Sequence, residues 1–243
     1  MSGRVGQALY LIPGLLCDAA IWRPQIAAFS PFCDVHVPDL RGFSSIPAMA
    51  AHIAEHAPPR FAVAGHSMGA RVALELFRRI PHRVTHIALL DTGIHPAPPD
   101  ERPRRLRLTD LSRNEGMRAL ADAWLPPMVA PGNFHGPLRD ELYAMVERMT
   151  PEIHHNQIQA LLDRPDARPV LAEITIPSLV GVGTADNWSP PDQNRSIAAA
   201  ISGARFVAFE DCGHMAPLEA PEAVNIALRT WLALDAIPPT PTM

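Results

Sequence analysis

An α/β fold built on one doubly wound, mostly parallel sheet is the class this sequence predicts, and three observations predict it. Short apolar runs that read as buried strands alternate with amphipathic helical patterns over most of the 243 residues. One such run, Phe61–Ala64, passes into Gly65-His66-Ser67-Met68-Gly69 and at once into a helix pattern. Val72, Ala73, Leu76, Phe77 and Ile80 form its apolar stripe, and Glu75 pairs with Arg79 one turn on. Between Gly93 and about Ala172 the alternation stops and the pattern turns helical. The expected division is therefore a core of residues 1–92 with 173–243, and a helical cap over 93–172 inserted before the next strand, the whole forming one structural unit.

In chain order, Leu9–Ile12 is the first expected strand and runs into the loop Pro13-Gly14-Leu15-Leu16. Asp34–Val37 is the second, and Ile46–Ala57 reads as the helix leading to the third, Phe61–Ala64. Val84–Leu90 follows the helix after Ser67 and ends in Asp91-Thr92. Pro96–Pro103 is proline-laden and reads as a hinge-like linker into the cap. Beyond the cap, strands are expected at Leu179–Gly183 and Arg205–Phe209, and the proline-rich Ile237–Met243 is expected to be a loose tail.

Gly-x-Ser-x-Gly between a strand and a helix is the sequence of a nucleophile elbow. Glycines at 65 and 69 remove the Cβ atoms that would collide in so sharp a turn, and the apical serine is left exposed. A serine hydroxyl is a weak nucleophile at neutral pH, so the motif calls for a histidine base and a carboxylate that orients it, in the order Ser, Asp or Glu, His. Asp186 follows the strand ending at Gly183, and His214 lies on the loop Asp211-Cys212-Gly213-His214 after the next strand. Asp91 also sits at the carboxyl end of a strand and competes with Asp186, although Asp-Thr is a turn or cap in its own right.

Together, Gly65-His66-Ser67-Met68-Gly69, the turn Gly183-Thr184-Ala185-Asp186 and the run Gly213 to Glu222 resemble the α/β-hydrolase fold over essentially the whole chain. The similarity is to its branch of small cofactor-free esterases, enol-lactonases, perhydrolases and C–C hydrolases. It implies Ser67 as nucleophile, His214 as general base and then acid, and Asp186 as the orienting carboxylate. It also implies an oxyanion hole made by the N–H groups of Leu15 and Met68. Many members have His-Gly where this chain has Pro13-Gly14, a change that removes a side chain and keeps the donor. Some carry the acid at the position of Asp91, and a leading hairpin that is common among them has no counterpart in the few residues before Leu9. The implied activity is cleavage of a carboxylic ester or lactone through an acyl-enzyme. C–C bond hydrolysis, perhydrolysis and a non-catalytic ligand receptor of the same fold are the alternatives.

Composition gives no sign of a nucleic-acid or membrane partner, and the resemblance implies a small-molecule substrate: an ester, a lactone or a thioester. Net charge is −4 with pI ≈ 6.2, which gives no electrostatic footprint for nucleic acid. No apolar run is long enough to span a membrane, and the first residues lack the pattern of a signal peptide, so the cytoplasm is the expected compartment. Cys17, Cys33 and Cys212 show no C-x-x-C spacing, which argues against a disulfide scaffold or a zinc site. The 21 basic residues are all arginines, so Schiff-base chemistry, covalently held pyridoxal phosphate and a P-loop lysine are excluded; no cofactor is expected. His52-Ile53-Ala54-Glu55-His56 matches the zinc pattern H-x-x-E-H, but its helix belongs on the sheet's flank and no third ligand is evident, so no metal is expected there or at His154-His155. Trp22, Trp188 and Trp124 are the candidate substrate-binding residues. Arg102, Arg104, Arg105 and Arg107 form a basic cluster that reads as a solvated face, yet suits a carboxylate or an acidic carrier protein.

Overall fold

The computed structural model describes residues 6–234; the expected tail Ile237–Met243 lies outside the described residues. Among the described residues there are six strands: β1 Gln7–Ile12, β2 Cys33–His36, β3 Phe61–His66, β4 Val84–Leu90, β5 Ser178–Gly183 and β6 Arg205–Phe209. They form one fully parallel sheet in the order β2-β1-β3-β4-β5-β6. Each lies within two residues of its expected place, and the inner strands β1, β3 and β5, covered on both faces, show why: such strands read as apolar runs. β3 and β5 are buried along their whole length.

Ten helices complete the described chain: α1 Arg23–Phe29, α2 Ile46–His56, α3 Met68–Arg79, α4 Glu101–Trp124, α5 Gly136–Glu147, α6 Pro151–Leu162, α7 Arg168–Leu171, α8 Pro191–Ala199, α9 Ala216–Glu219 and α10 Pro221–Trp231. The chain moves from β1 outward to β2, then back across β1 to β3, and onward through β6. Because parallel crossovers are right-handed, this reversal puts α1 on one face and α2, α3 and α8 on the other. α10 packs on α1, and α2 on α3. The reversal at β1 opens a crevice at the carboxyl ends of β1 and β3, where ligands settle in open α/β sheets.

Much of the chain's proline opens helices. Eight helices have it in the first turn, where the missing N–H has no helical partner to lose. The same logic corrects the expected linker at Pro96–Pro103: α4 begins at Glu101, so Pro103 lies within its first turn. α4 then breaks at Gly116, whose φ of 89° and ψ of 175° are not helical. α4 to α7 all lie between β4 and β5, with α4 packed on α5 and α6. Among the described residues, no helix is long and apolar enough to cross a membrane.

Leu89, fully buried on the central strand β4, has no room to be truncated without a void. Leu89→Ala is expected to cost about 2–5 kcal/mol, read as a lower urea midpoint at unchanged slope. A loss below about 1 kcal/mol would contradict the packing described.

Candidate active site

Ser67 stands at the turn from β3 into α3 with φ 55° and ψ −114°, a conformation that L-residues avoid. Two glycines make the turn possible. A Cβ on Gly65 would lie 2.3 Å from the Gly69 carbonyl oxygen, and one on Gly69 would lie 2.2 Å from that of Ile12. The serine backbone is fixed from both sides: its N–H donates to the Leu90 carbonyl at 2.9 Å, and its carbonyl accepts from Thr92 Oγ1 at 3.0 Å.

The elbow brings Ser67 Oγ within 2.9 Å of His214 Nε2, and His214 Nδ1 within 2.8 Å of Asp186 Oδ2. Asp186 and His214 are both buried. Asp186 Oδ1 accepts from the N–H groups of Trp188 and Ser189 at 2.8 and 3.0 Å, and Ser189 Oγ donates to Oδ2 at 2.6 Å. Burial opposes the Asp186 charge, but the adjacent imidazole and these donors outweigh it and hold the carboxyl at about 2.

Asp91 sits in the opposite environment. It is fully buried, accepts from the Gly183 N–H at 2.9 Å and leaves Oδ2 without a partner. Burial first, and then the Asp186 charge, push its carboxyl well above the usual range. Among the described residues, the carboxylate that reaches His214 is Asp186.

Leu15 and Met68 line the same cavity as Ser67 and His214, a space of ≈ 590 Å³. Met68 is the first residue of α3, where helical N–H groups lack intrahelical partners. The loop holding Leu15 is pinned from the helical insertion, since Gln157 Oε1 accepts from the Leu16 N–H at 2.8 Å. Trp124 and Trp188 also line the cavity, Trp188 being 47% exposed. Trp22 does not: it is fully buried and packs edge-on to His66, 6.5 Å between ring centres, so its place near the Leu15 loop makes it core. His52 and His56 lie side by side on α2 with their rings tilted by 50°, and His56 Nδ1 is bonded to the His52 carbonyl at 2.8 Å; among the described residues, no three His, Cys, Asp or Glu side chains gather to hold a metal.

Three supporting residues were not picked out by sequence reading. His66 Nε2 donates to the His214 carbonyl at 2.7 Å; its position inside the elbow motif was the available signal. Glu219 spans the His214 loop and the insertion, its Oε2 accepting from the N–H groups of Gly213 at 3.0 Å and Ala130 at 2.9 Å, its Oε1 from Met215 N–H at 3.0 Å. The His214 N–H itself donates to the Met128 carbonyl at 2.7 Å. Ser189, the third, was signalled only by its closeness in sequence to Asp186.

Burial, reinforced by His214, pushes His66 down to about 3 from an ordinary 6.5. The unfolded chain takes up this proton below about pH 6.5 while the folded chain refuses it until about 3, so stability falls with pH across that window. Between pH 7 and pH 4, His66→Gln is expected to lose about 3 kcal/mol less stability than the wild type, measured by urea unfolding at both values. Equal losses in the two proteins would contradict a neutral, buried His66.

Comparison with known proteins bears on the family and the fold. The model of the alpha/beta hydrolase family matches residues 9–227. The malate-bound structure of a thermophilic esterase from Thermogutta terrifontis superposes with a TM-score of 0.87 at 29% identity, covering 95% of this chain and 90% of that one. The enol-lactonase from Burkholderia xenovorans LB400 superposes at 0.80 with 27% identity, covering 95% and 94%. In sequence, the chain is 28% identical over 211 residues to the biotin biosynthesis bifunctional protein BioHC of Cellvibrio japonicus, a match that takes in 80% of this chain and 40% of that protein. With the parallel sheet, the helical insertion and the elbow all in place, the family match settles the assignment: the chain belongs to the alpha/beta hydrolase family.

Proposed function

We propose that this hydrolase cleaves a carboxylic ester or lactone through an acyl-enzyme on Ser67. The observation that carries the reading is the unbroken chain Ser67 Oγ, His214, Asp186, with links of 2.9 and 2.8 Å, opening into a cavity. Ser67 Oγ adds to the substrate carbonyl carbon while its proton passes to His214 Nε2. The oxyanion is received by the N–H groups of Leu15 and Met68, each such donor being worth about 3 kcal/mol in the transition state. Collapse breaks the bond to the alcohol oxygen, which takes the proton from His214. Water then gives a proton to His214 and adds to the acyl group, and Ser67 leaves with its proton restored. The net reaction consumes one ester and one water and yields one acid and one alcohol. Asp186 stays ionised and holds the imidazolium, while Asp91, whose surroundings favour its neutral form, does not bond to His214 and takes no part in the proton transfers. The helical insertion acts as a cap, with Trp124 and Trp188 contacting the substrate.

Ser67→Ala is expected to lower kcat by about 10⁴-fold or more, with the melting temperature unchanged. Retention of activity within tenfold would remove Ser67 from the mechanism. Asp186→Asn is expected to cost about 10⁴-fold in kcat by leaving His214 in the wrong tautomer, whereas Asp91→Asn should stay within tenfold of wild type. The reverse ranking would transfer the orienting role to Asp91.

A further inference from the structure

One wall of the cavity carries more positive charge than the structure neutralises. Arg71, Arg105 and Arg164 face it with Glu101, and Arg104 and Arg107 lie at its exposed rim. Glu101 is already committed: Arg164 binds it in a fork at 2.6 and 2.8 Å, and Arg105 Nε reaches it at 2.5 Å. Arg164 is further tied down by the carbonyls of His95 and Leu161, at 2.9 and 2.6 Å. Its work is structural, linking the start of α4 to the end of α6.

Arg71 differs. It makes one hydrogen bond, from Nη1 to the His95 carbonyl at 3.1 Å, and among the described residues no carboxylate pairs with it. It lies one turn into α3 from Ser67, and helical side chains lean toward the helix N-terminus, here toward the nucleophile. Its guanidinium lies against Gly93, where a Cβ would stand 3.0 Å from Arg71 Nη2 and 2.8 Å from Gln193 Nε2. Burial, with Arg164 and Arg105 nearby, brings Arg71 down to about 9, so it keeps its charge at neutral pH. Arg71 is half-buried, and a partly desolvated guanidinium beside like charges is unfavourable until an anion meets it. The chain as a whole is acidic, with a net charge of −4, so this local excess runs against the global balance. Arg105 also lies 5.8 Å over the Trp188 ring, giving an apolar surface beside the free charge.

Building on the ester-hydrolase reading, we infer that Arg71 binds a carboxylate carried by the substrate, so that the substrate class is an ester or lactone of a dicarboxylic acid with one carboxylate free. A carboxylate matches the planar fork of Arg71 and is small enough to share the cavity with the reacting carbonyl. Gln193 Nε2 already donates to the Thr92 carbonyl at 3.0 Å and Arg104 pairs with Asp100 at 3.0 Å, so the open donors are those of Arg71 and Arg107.

The test uses two matched substrates, 4-nitrophenyl hydrogen glutarate and its methyl ester, which differ in the distal charge and one methyl group, each rate being corrected for the spontaneous release of 4-nitrophenol measured without protein. The wild type is expected to favour the free acid by about 10- to 100-fold in kcat/KM. Arg71→Met should erase that preference while changing the methyl ester by less than threefold. Equal use of both substrates by the wild type, or an equal fall on both in Arg71→Met, overturns the proposal; the wild-type comparison needs no variant to fold. A second arm is independent of turnover: glutarate is titrated calorimetrically into Ser67→Ala protein with and without Arg71→Met. Binding weakened tenfold or more by Arg71→Met supports the site, and absent or unchanged binding overturns it. If neither ester is hydrolysed while glutarate binding still depends on Arg71, the ester reading fails and the carboxylate site stands.

Discussion

The backbone of Ser67 can hold a φ of 55° only because no Cβ exists at Gly65 or Gly69, where β3, α3 and the end of β1 press together. The rest of the site is arranged around this contact. It brings α3 close enough to β1 for Met68 and the Leu15 loop to face one space, and it aims Ser67 Oγ away from the sheet toward His214. It also sets Arg71 one turn from the nucleophile. Local strain at a turn of this kind is held only when surrounding structure fixes it, and here the carbonyl of Leu90 and the hydroxyl of Thr92 supply that support.

Two buried carboxylates at neighbouring strand ends show how surroundings set charge. Asp186 gathers Ser189, Trp188 and His214 around it and stays ionised; Asp91 receives Gly183 and remains close to the Asp186 charge, which favours its neutral form. Such divergence between paired titratable groups is what lets one of them orient a base while the other remains inert. The insertion is tied to the same centre. Met128 takes the His214 N–H, Glu219 joins the His214 loop to Ala130, and Gln157 holds Leu16, so the elements above the cavity and the groups inside it are aligned by common bonds.

The sheet and the elbow were legible in the sequence because both depend on local pattern. β3, β4 and β6 each carry an apolar run beside turn residues, Phe61–Ala64, Ile87–Leu90 and Phe206–Phe209, and Gly65 and Gly69 announce a backbone that other residues cannot follow. What escaped reading depends on contacts between distant segments. The cluster from Arg102 to Arg107 looked uniform along the chain, yet Arg105 is buried against Glu101 while Arg102 and Arg104 are exposed. Nothing near Arg71 or Arg164 in sequence indicates that both converge on the same cavity wall. Trp22 follows the Leu15 loop closely in sequence, which suggests a place in the pocket, but the turn at Ala19–Trp22 directs it into the core against His66. The prolines between 96 and 103 carried two meanings, turn and helix start, that only the surrounding fold separates.

The central claim is that Ser67 carries a covalent acyl group during turnover, and intact-mass analysis of protein quenched during reaction with an activated ester tests it most directly. The account predicts one added acyl mass per chain, mapped by peptide fragmentation to Ser67, and no adduct on Ser67→Ala protein. Turnover with an adduct on another side chain, or an equal adduct on Ser67→Ala, would contradict it.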